Sequence, residues 1–402
     1  MNEITELYDL VFEFEQRNNL TIWKNPHEEW SRLRNVGPVH KTSMLKLFRG
    51  EDLSTREMDT TQPCYQVVTY DEAMVVLKNE SVFSASAYGE SMGRMMGRTF
   101  LEMDGYEHKS HRHLVQSHFA RKICELYNED FVRPLARKLI MRLAHRQGGD
   151  LVRSFTFPLS VLVITKIIGL PSAGLGSLVA WALGLKAEDD GEWGREKFTE
   201  IIDRRRGEDS QDVIGTLTKA TVDGRRLSDD EIISFIRLLI STGTEPPYRS
   251  LSNLLTGLLS DRIQLSSIKN DKSLIINAIN ESMRWEPPLT WVLRTCKEPT
   301  EVAGTKFTKG DLVCVNISSA NRDEKRWSMP EKFDIYRPYK PHIGMGGGVH
   351  TCLGQHLAMI ESKAAAEVIV ERCPGVHIDM EAGRPEIVGR GFRSPRVLPV
   401  RF

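Results

Sequence analysis

The stretch HIGMGGGVHTCLGQHLAMIE, residues 342–361, gathers the residue types in this chain best suited to redox chemistry. Gly346, Gly347 and Gly348 precede Cys352. Such a run permits backbone angles that side chains disfavour. Gly354 then opens a segment with helical apolar spacing. The Cys352 sulfur is thereby placed at a helix N-terminus, where backbone N–H groups and the helix dipole stabilise a thiolate. A thiolate held on a rigid turn suits an axial ligand to haem iron, to which it donates electron density. The other cysteines, Cys64, Cys124, Cys296, Cys314 and Cys373, have no such setting and read as small buried hydrophobes.

A second stretch, ISTGTEPPYRS at 240–250, sets Pro246 and Pro247 inside an apolar helical run. Ile233, Ile236, Leu239 and Ile240 lie before them, and Leu251, Leu254, Leu255 and Leu258 after. An interior proline costs a helix about 3 kcal/mol. Either the helix ends there or the break serves a purpose. In an unbroken helix the missing N–H groups of 246 and 247 would have paired with the carbonyls of Thr242 and Gly243. Water or ligand is expected to meet those carbonyls, with Gly243 allowing close approach. Thr242, Thr244 and Glu245 are the nearby groups able to handle protons.

The elements that must hold these residues are mostly helical. Apolar spacing predicts helices over 3–16, 27–34, 71–79, 108–120, 128–145, 158–168, 197–206, 229–259, 274–285 and 354–371, with Asp71 and Ser228 as N-caps. Strands are expected at 65–69, 312–317 and 397–402, and hairpins within 289–315. The charged stretches 187–196 and 204–212 read as solvated loops or helix ends. The fold class is mainly α with a small β region, and no linker divides residues 1–402, so a single domain is expected.

Composition narrows the function. Lys+Arg and Asp+Glu number 54 each, which gives no global field for nucleic acid or an anionic membrane. Six cysteines in 402 residues are too sparse for a secreted disulfide scaffold. The N-terminus carries no signal-peptide pattern, and the longest apolar stretch, at 157–170, is too short to span a bilayer. A cytoplasmic protein without a membrane span is expected.

The cysteine loop resembles that of the cytochrome P450 family, Phe-x-x-Gly-x-x-x-Cys-x-Gly. Met345, Gly348, Cys352 and Gly354 stand at its positions, with His350 two before the cysteine. Met345 replaces the family's Phe. Further motifs agree in family order: Glu281-Ser-Met-Arg284, then Phe333-Asp334 with Arg337, His108-Lys-Ser-His-Arg112, Arg294 after WVL, and SANRD at 319–323. The resemblance covers essentially the whole chain. It implies the cytochrome P450 fold, with a long central helix over haem b and Cys352 as the metal ligand. It also implies propionate contacts from His108, Arg112, Arg294 and His350, with Gly346 and Gly354 shaping the loop. Glu281, Arg284 and Arg337 would form a structural ion-pair network.

The family's central helix carries Ala/Gly-Gly-x-Asp/Glu-Thr, and Thr242, Gly243, Thr244, Glu245 and Pro246 align there. The acid is kept. The Thr whose hydroxyl helps hold dioxygen and relays protons is lost to Pro246. Protons would come through water fed by Glu245 or from a substrate hydroxyl. Alternatively the chemistry is atypical: desaturation, rearrangement or peroxide-driven oxidation. A ligand sensor without turnover is a further alternative.

A mainly apolar small organic substrate is implied, lined by Met92, Met96, Leu239, Leu289, Trp291, Val292 and Phe392. The methionines read equally well as ordinary core. Glu245 is expected to repel a fatty acid, and Tyr248 to orient a polar group. With no nucleotide-binding Gly motif in the chain, electrons would come from a ferredoxin-type donor with a separate reductase. A monomer is expected.

Overall fold

The longest helical pattern becomes the longest helix, Asp229–Ser260, in a computed structural model that describes residues 2–18, 25–42, 64–185 and 191–402. Ser228 and Glu231 form a capping box at its start. The helix does not break at Pro246 and Pro247 but runs through both. Ile232, Ile236, Leu239 and Ile240 are buried before the prolines, and Leu251, Leu254, Leu255 and Leu258 after them. Each buried aliphatic side chain contributes about 1.5–3 kcal/mol. Eight of them outweigh a proline penalty of about 3 kcal/mol apiece. The two carbonyls expected to lose their backbone donors do so inside an intact helix.

Gly243 faces Phe157–Ile168, the helix packed beside it. A Cβ at 243 would stand 2.3 Å from Ile164 Cγ1. This glycine therefore serves helix–helix packing, which corrects the expectation that it opens the gap toward a ligand.

Helices Asn2–Arg17, His27–Val36, Tyr70–Lys78, Phe157–Ile168, Leu274–Trp285 and Gln355–Arg372 lie where apolar spacing put them. The N-cap before Tyr70 is Thr69, in extended backbone, and Asp71 sits in the first turn, where its charge meets the dipole. The pattern over 128–145 divides into a π segment, Asn128–Val132, and the helix Arg133–His145, with Pro134 in its first turn. Helices Ala87–Met96, Arg121–Tyr127, Leu175–Ala182, Val213–Lys219 and Arg262–Asn270 were not anticipated. The charged stretch at 187–196, read as a solvated loop or helix end, holds the start of the helix Gly191–Arg206, and its first part lies outside the described residues. The charged stretch at 204–212 ends that helix, and Asp212 caps the next by accepting from the Gly215 N–H at 2.8 Å.

A five-stranded sheet runs in the spatial order Val39–Thr42, Cys64–Val67, Leu312–Asn316, Trp291–Cys296 and Phe83–Ser84. Antiparallel register sets Arg294 opposite Val313 and Trp291 opposite Asn316. Among the described residues no helix is long and apolar enough to cross a membrane.

Glu361, on Gln355–Arg372, is buried against Phe157–Ile168, where it accepts from Ser160 Oγ at 3.1 Å. Burial pushes its carboxyl from 4.5 up to about 8, partly opposed by that hydrogen bond. Between those values the native state holds a proton that the unfolded chain has released. Its contribution to stability is therefore present at low pH and lost as pH rises through about 8. Glu361→Gln should remove this decline, on the order of 4 kcal/mol. Urea unfolding of both proteins from about pH 5 to about pH 9 checks it, and parallel curves would refute the assignment.

Candidate functional site

Two left-handed glycines shape the cysteine loop. Gly346 has φ 75° and Gly348 φ 68°, and a Cβ at 348 would stand 2.2 Å from the Leu77 carbonyl oxygen. Gly347 is extended, with φ −164°. Cys352 N–H donates to the Met345 carbonyl at 2.9 Å, and Thr351 N–H to that of Gly348 at 3.1 Å. Met345 thus closes the loop through its backbone, whatever its side chain. Gly354 caps Gln355–Arg372. Burial pushes the Cys352 thiol up, while the Gly354 N–H and the Arg112 guanidinium pull it down. Arg112 also donates to the Thr351 carbonyl at 2.8 Å, which ties Gly105–Gln116 to the loop.

Four basic side chains converge above this turn. His108 and Arg112 come from Gly105–Gln116, Arg294 from Trp291–Cys296, and His350 from the loop. The rings of His108 and His350 lie 4.1 Å apart. Both ring nitrogens of His108 and Nε2 of His350 are buried without a hydrogen-bond partner. Burial, then the charges of Arg294 and His108, hold His350 down at about 3. Burial, then Arg112, lower His108. Mutual repulsion of this kind, with orphaned donors, is costly unless an anion completes it. The paired carboxylates of a haem would fit that demand, with the Cys352 sulfur close to the same cluster.

On another face, the central helix is accessible in its middle. Thr242 is exposed and Ser241, Glu245 and Pro246 partly so, although the helix is buried before and beyond them. Thr242 Oγ1 donates to the Leu238 carbonyl at 2.7 Å, so its proton is already engaged. Thr244 is fully buried, two residues and so about 200° around the helix from Thr242. It does not reach the Thr242 face, which corrects that expectation.

Glu245 is held from one side. Arg249 donates to its Oε2 from Nε at 3.0 Å and from Nη2 at 2.8 Å. Arg249 also bonds Glu15 of the first helix and Ser394 Oγ, the latter at 3.3 Å. Oε1 of Glu245 takes no hydrogen bond among the described residues. Burial raises the Glu245 carboxyl, Arg249 lowers it and Glu15 raises it. The sequence reading missed Arg249, although its i, i+4 spacing from Glu245 was the available signal.

The expected substrate wall is partly brought together. Leu289 pairs with Phe392 across a β-bridge, and the Arg249 guanidinium lies 5.5 Å from the Phe392 ring. Val292 shares the Arg294 face of its strand. Trp291 points to the opposite face, among Cys64, Ala87, Leu293, Leu312 and Cys314, because side chains alternate along a strand. It is not part of the wall. Met96 and Leu239 are buried in the main core, and Met92 packs against it. Tyr248 is likewise core, 5.2 Å from the Phe157 ring, and is not placed to orient a ligand.

Glu281, Arg284 and Arg337 do meet. Arg284 reaches both carboxylate oxygens of Glu281 at 2.8 Å, and Arg337 Nε donates to Oε1 at 3.1 Å. A second buried cluster, unforeseen, sets Glu286 among His27, Arg322 and Arg393 at 2.8, 3.2 and 2.7 Å.

A family model described as "Cytochrome P450" matches residues 266–386. The cyclomarin C epoxidase CymV of Salinispora arenicola (strain CNS-205) is 32% identical over 292 residues, 69% of this chain and 73% of that protein. A steroid C26-monooxygenase of Mycolicibacterium smegmatis is 30% identical over 350 residues, 83% of this chain and 86% of that protein. The crystal structure of P450BioI in complex with hexadec-9Z-enoic acid ligated acyl carrier protein superposes with a TM-score of 0.81. Its identity is 26%, and the match covers 94% of this chain and 98% of that one.

Proposed function

The chain belongs to the cytochrome P450 family of haem-thiolate monooxygenases, and we propose that Cys352 is its axial ligand and that it hydroxylates a mainly apolar small organic substrate. Residues 1–402 act as one cytoplasmic domain, a monomer, with electrons from a ferredoxin-type protein and a separate reductase. The observation that carries this reading is the convergence of His108, Arg112, Arg294 and His350 over the Cys352 turn. When bound, the haem supplies dioxygen activation and oxygen transfer to a C–H bond.

The chain's own residues do the rest. His108, Arg112, Arg294 and His350 would hold the propionates, and charge-assisted hydrogen bonds to carboxylates are among the strongest available. The Gly354 N–H and Arg112 steady negative charge on the sulfur. On the opposite side, the carbonyls of Thr242 and Gly243 accept hydrogen bonds from water, since Pro246 and Pro247 offer them no N–H. Arg249 fixes Glu245 through Oε2 and leaves Oε1 to feed that water with protons.

A second reading, atypical chemistry with different proton delivery, is favoured by the absence of a hydroxyl at Pro246. Pro246→Thr separates the two. With a surrogate ferredoxin and reductase and a turned-over lipophilic substrate, the variant should couple reductant to product several-fold less efficiently. Its restored N–H would pair with the Thr242 carbonyl and displace the water. Unchanged coupling would remove those carbonyls from the mechanism. A wild-type protein that binds such compounds but turns none over would refute the monooxygenase reading.

A further inference from the structure

The buried guanidiniums of this protein mostly have carboxylate partners: Arg284 with Glu281, Arg249 with Glu15 and Glu245, and Arg322 and Arg393 with Glu286. Arg237 does not. It lies on the central helix, half-buried between Ile236 and Leu238, one turn before Ser241. Among the described residues its guanidinium makes no hydrogen bond or ion pair, and its Nε is buried without a partner. Among the described residues burial alone acts on its ionisation, with no acid offsetting it.

Its position is nevertheless held. The guanidinium lies 4.5 Å from the centroid of the Trp181 ring, on Leu175–Ala182. Trp181 in turn packs on Phe198 at 5.2 Å and closes against Gly194, where a Cβ would stand 2.1 Å from the indole. Both contacts come from Gly191–Arg206. A cation fixed on an aromatic face keeps its in-plane N–H donors free. Four residues on, about 6 Å of helix rise and nearly on the same face, lies the partly exposed Ser241.

We propose that Arg237 binds a carboxylate on the substrate, so that the ligand is an amphipathic acid. Its carboxylate sits beneath Trp181 and its apolar body runs along the central helix toward Ser241. Glu245 does not oppose such a ligand, contrary to the expectation from sequence, because Arg249 and Arg396 together compensate the charges of Glu245 and Glu15. The proposal rests on the monooxygenase reading only in taking the ligand to be the substrate.

The test is calorimetric titration of the holoenzyme with n-alkanoic acids of about eight to about sixteen carbons and the matching 1-alkanols. Wild type should bind the best acid about tenfold or more tightly than its alcohol. Arg237→Met should erase that preference by weakening the acid and sparing the alcohol, and Arg237→Lys should keep part of it. Equal affinity for acid and alcohol in wild type, equal losses of both in Arg237→Met, or no binding of any acid would overturn the proposal. Because heat of binding is read, the result stands apart from whether Cys352 ligates iron. That question is answered by the carbonyl spectrum.

Discussion

Cys352→Ser is expected to abolish the red-shifted carbonyl band of the reduced protein and, with it, turnover. The sulfur occupies a turn that the backbone fixes on its own account. Gly346 and Gly348 supply the left-handed angles, and the Cys352 N–H closes on Met345. Serine is nearly isosteric and keeps that N–H, so the loop and the overall fold should survive. What changes is the donor atom. The Gly354 N–H and the Arg112 guanidinium lower a thiol that burial raises, but a hydroxyl starts far too high for the same contacts to ionise it. The variant should therefore keep far-ultraviolet dichroism and a melting temperature close to wild type while losing the thiolate signature. A band that persists in the serine protein would sink the assignment of Cys352, and the functional proposal with it.

Glu281→Gln should produce the largest loss of stability. This carboxylate, 5% exposed, receives Arg284 at both oxygens, Arg337 at one, and the Asp334 N–H at 3.0 Å. Removing its charge leaves two guanidiniums facing each other in the interior. Breaking a buried pair from one side costs about 3–5 kcal/mol, a large share of a typical total of about 5–15 kcal/mol. The loss should spread to the functional site, because Arg284 also holds the carbonyls of Pro330 and Lys332 at 2.8 and 3.0 Å and that of Asn321 at 3.3 Å. The Asn321 amide oxygen then accepts the Ile343 N–H at 2.8 Å, just before the cysteine loop. Haem retention should fall together with the urea midpoint. A Glu281→Gln protein within about 1 kcal/mol of wild type would show that the network is only decorative.

Much of the site was legible because its chemistry is written in short spacings. Glycines around one cysteine, a cation pair one helical turn apart at His108 and Arg112, and Glu281 with Arg284 each declare a shared face. Long elements were legible for the same reason, since periodicity accumulates over Asp229–Ser260 but not over Leu175–Ala182. Direction was harder. Which way Thr244 or Trp291 points depends on the phase of a helix or strand against its neighbours, and a sequence states that phase only weakly. Gly243 was misread because a glycine serves close approach equally well to a ligand or to Ile164. Long-range pairing was out of reach: nothing local announces that Glu15 meets Arg249, or that Glu286 gathers His27, Arg322 and Arg393.

That Glu15 contact carries a consequence for the interior acid. Arg249 divides its attention between two carboxylates, one from the opening helix and one from the central helix. Glu15 makes Glu245 harder to ionise. Undocking of the opening helix would leave the cation to Glu245 alone and let water in, and both effects would make that acid stronger. The acidity of Glu245 is thus set in part by whether a distant end of the polypeptide is seated.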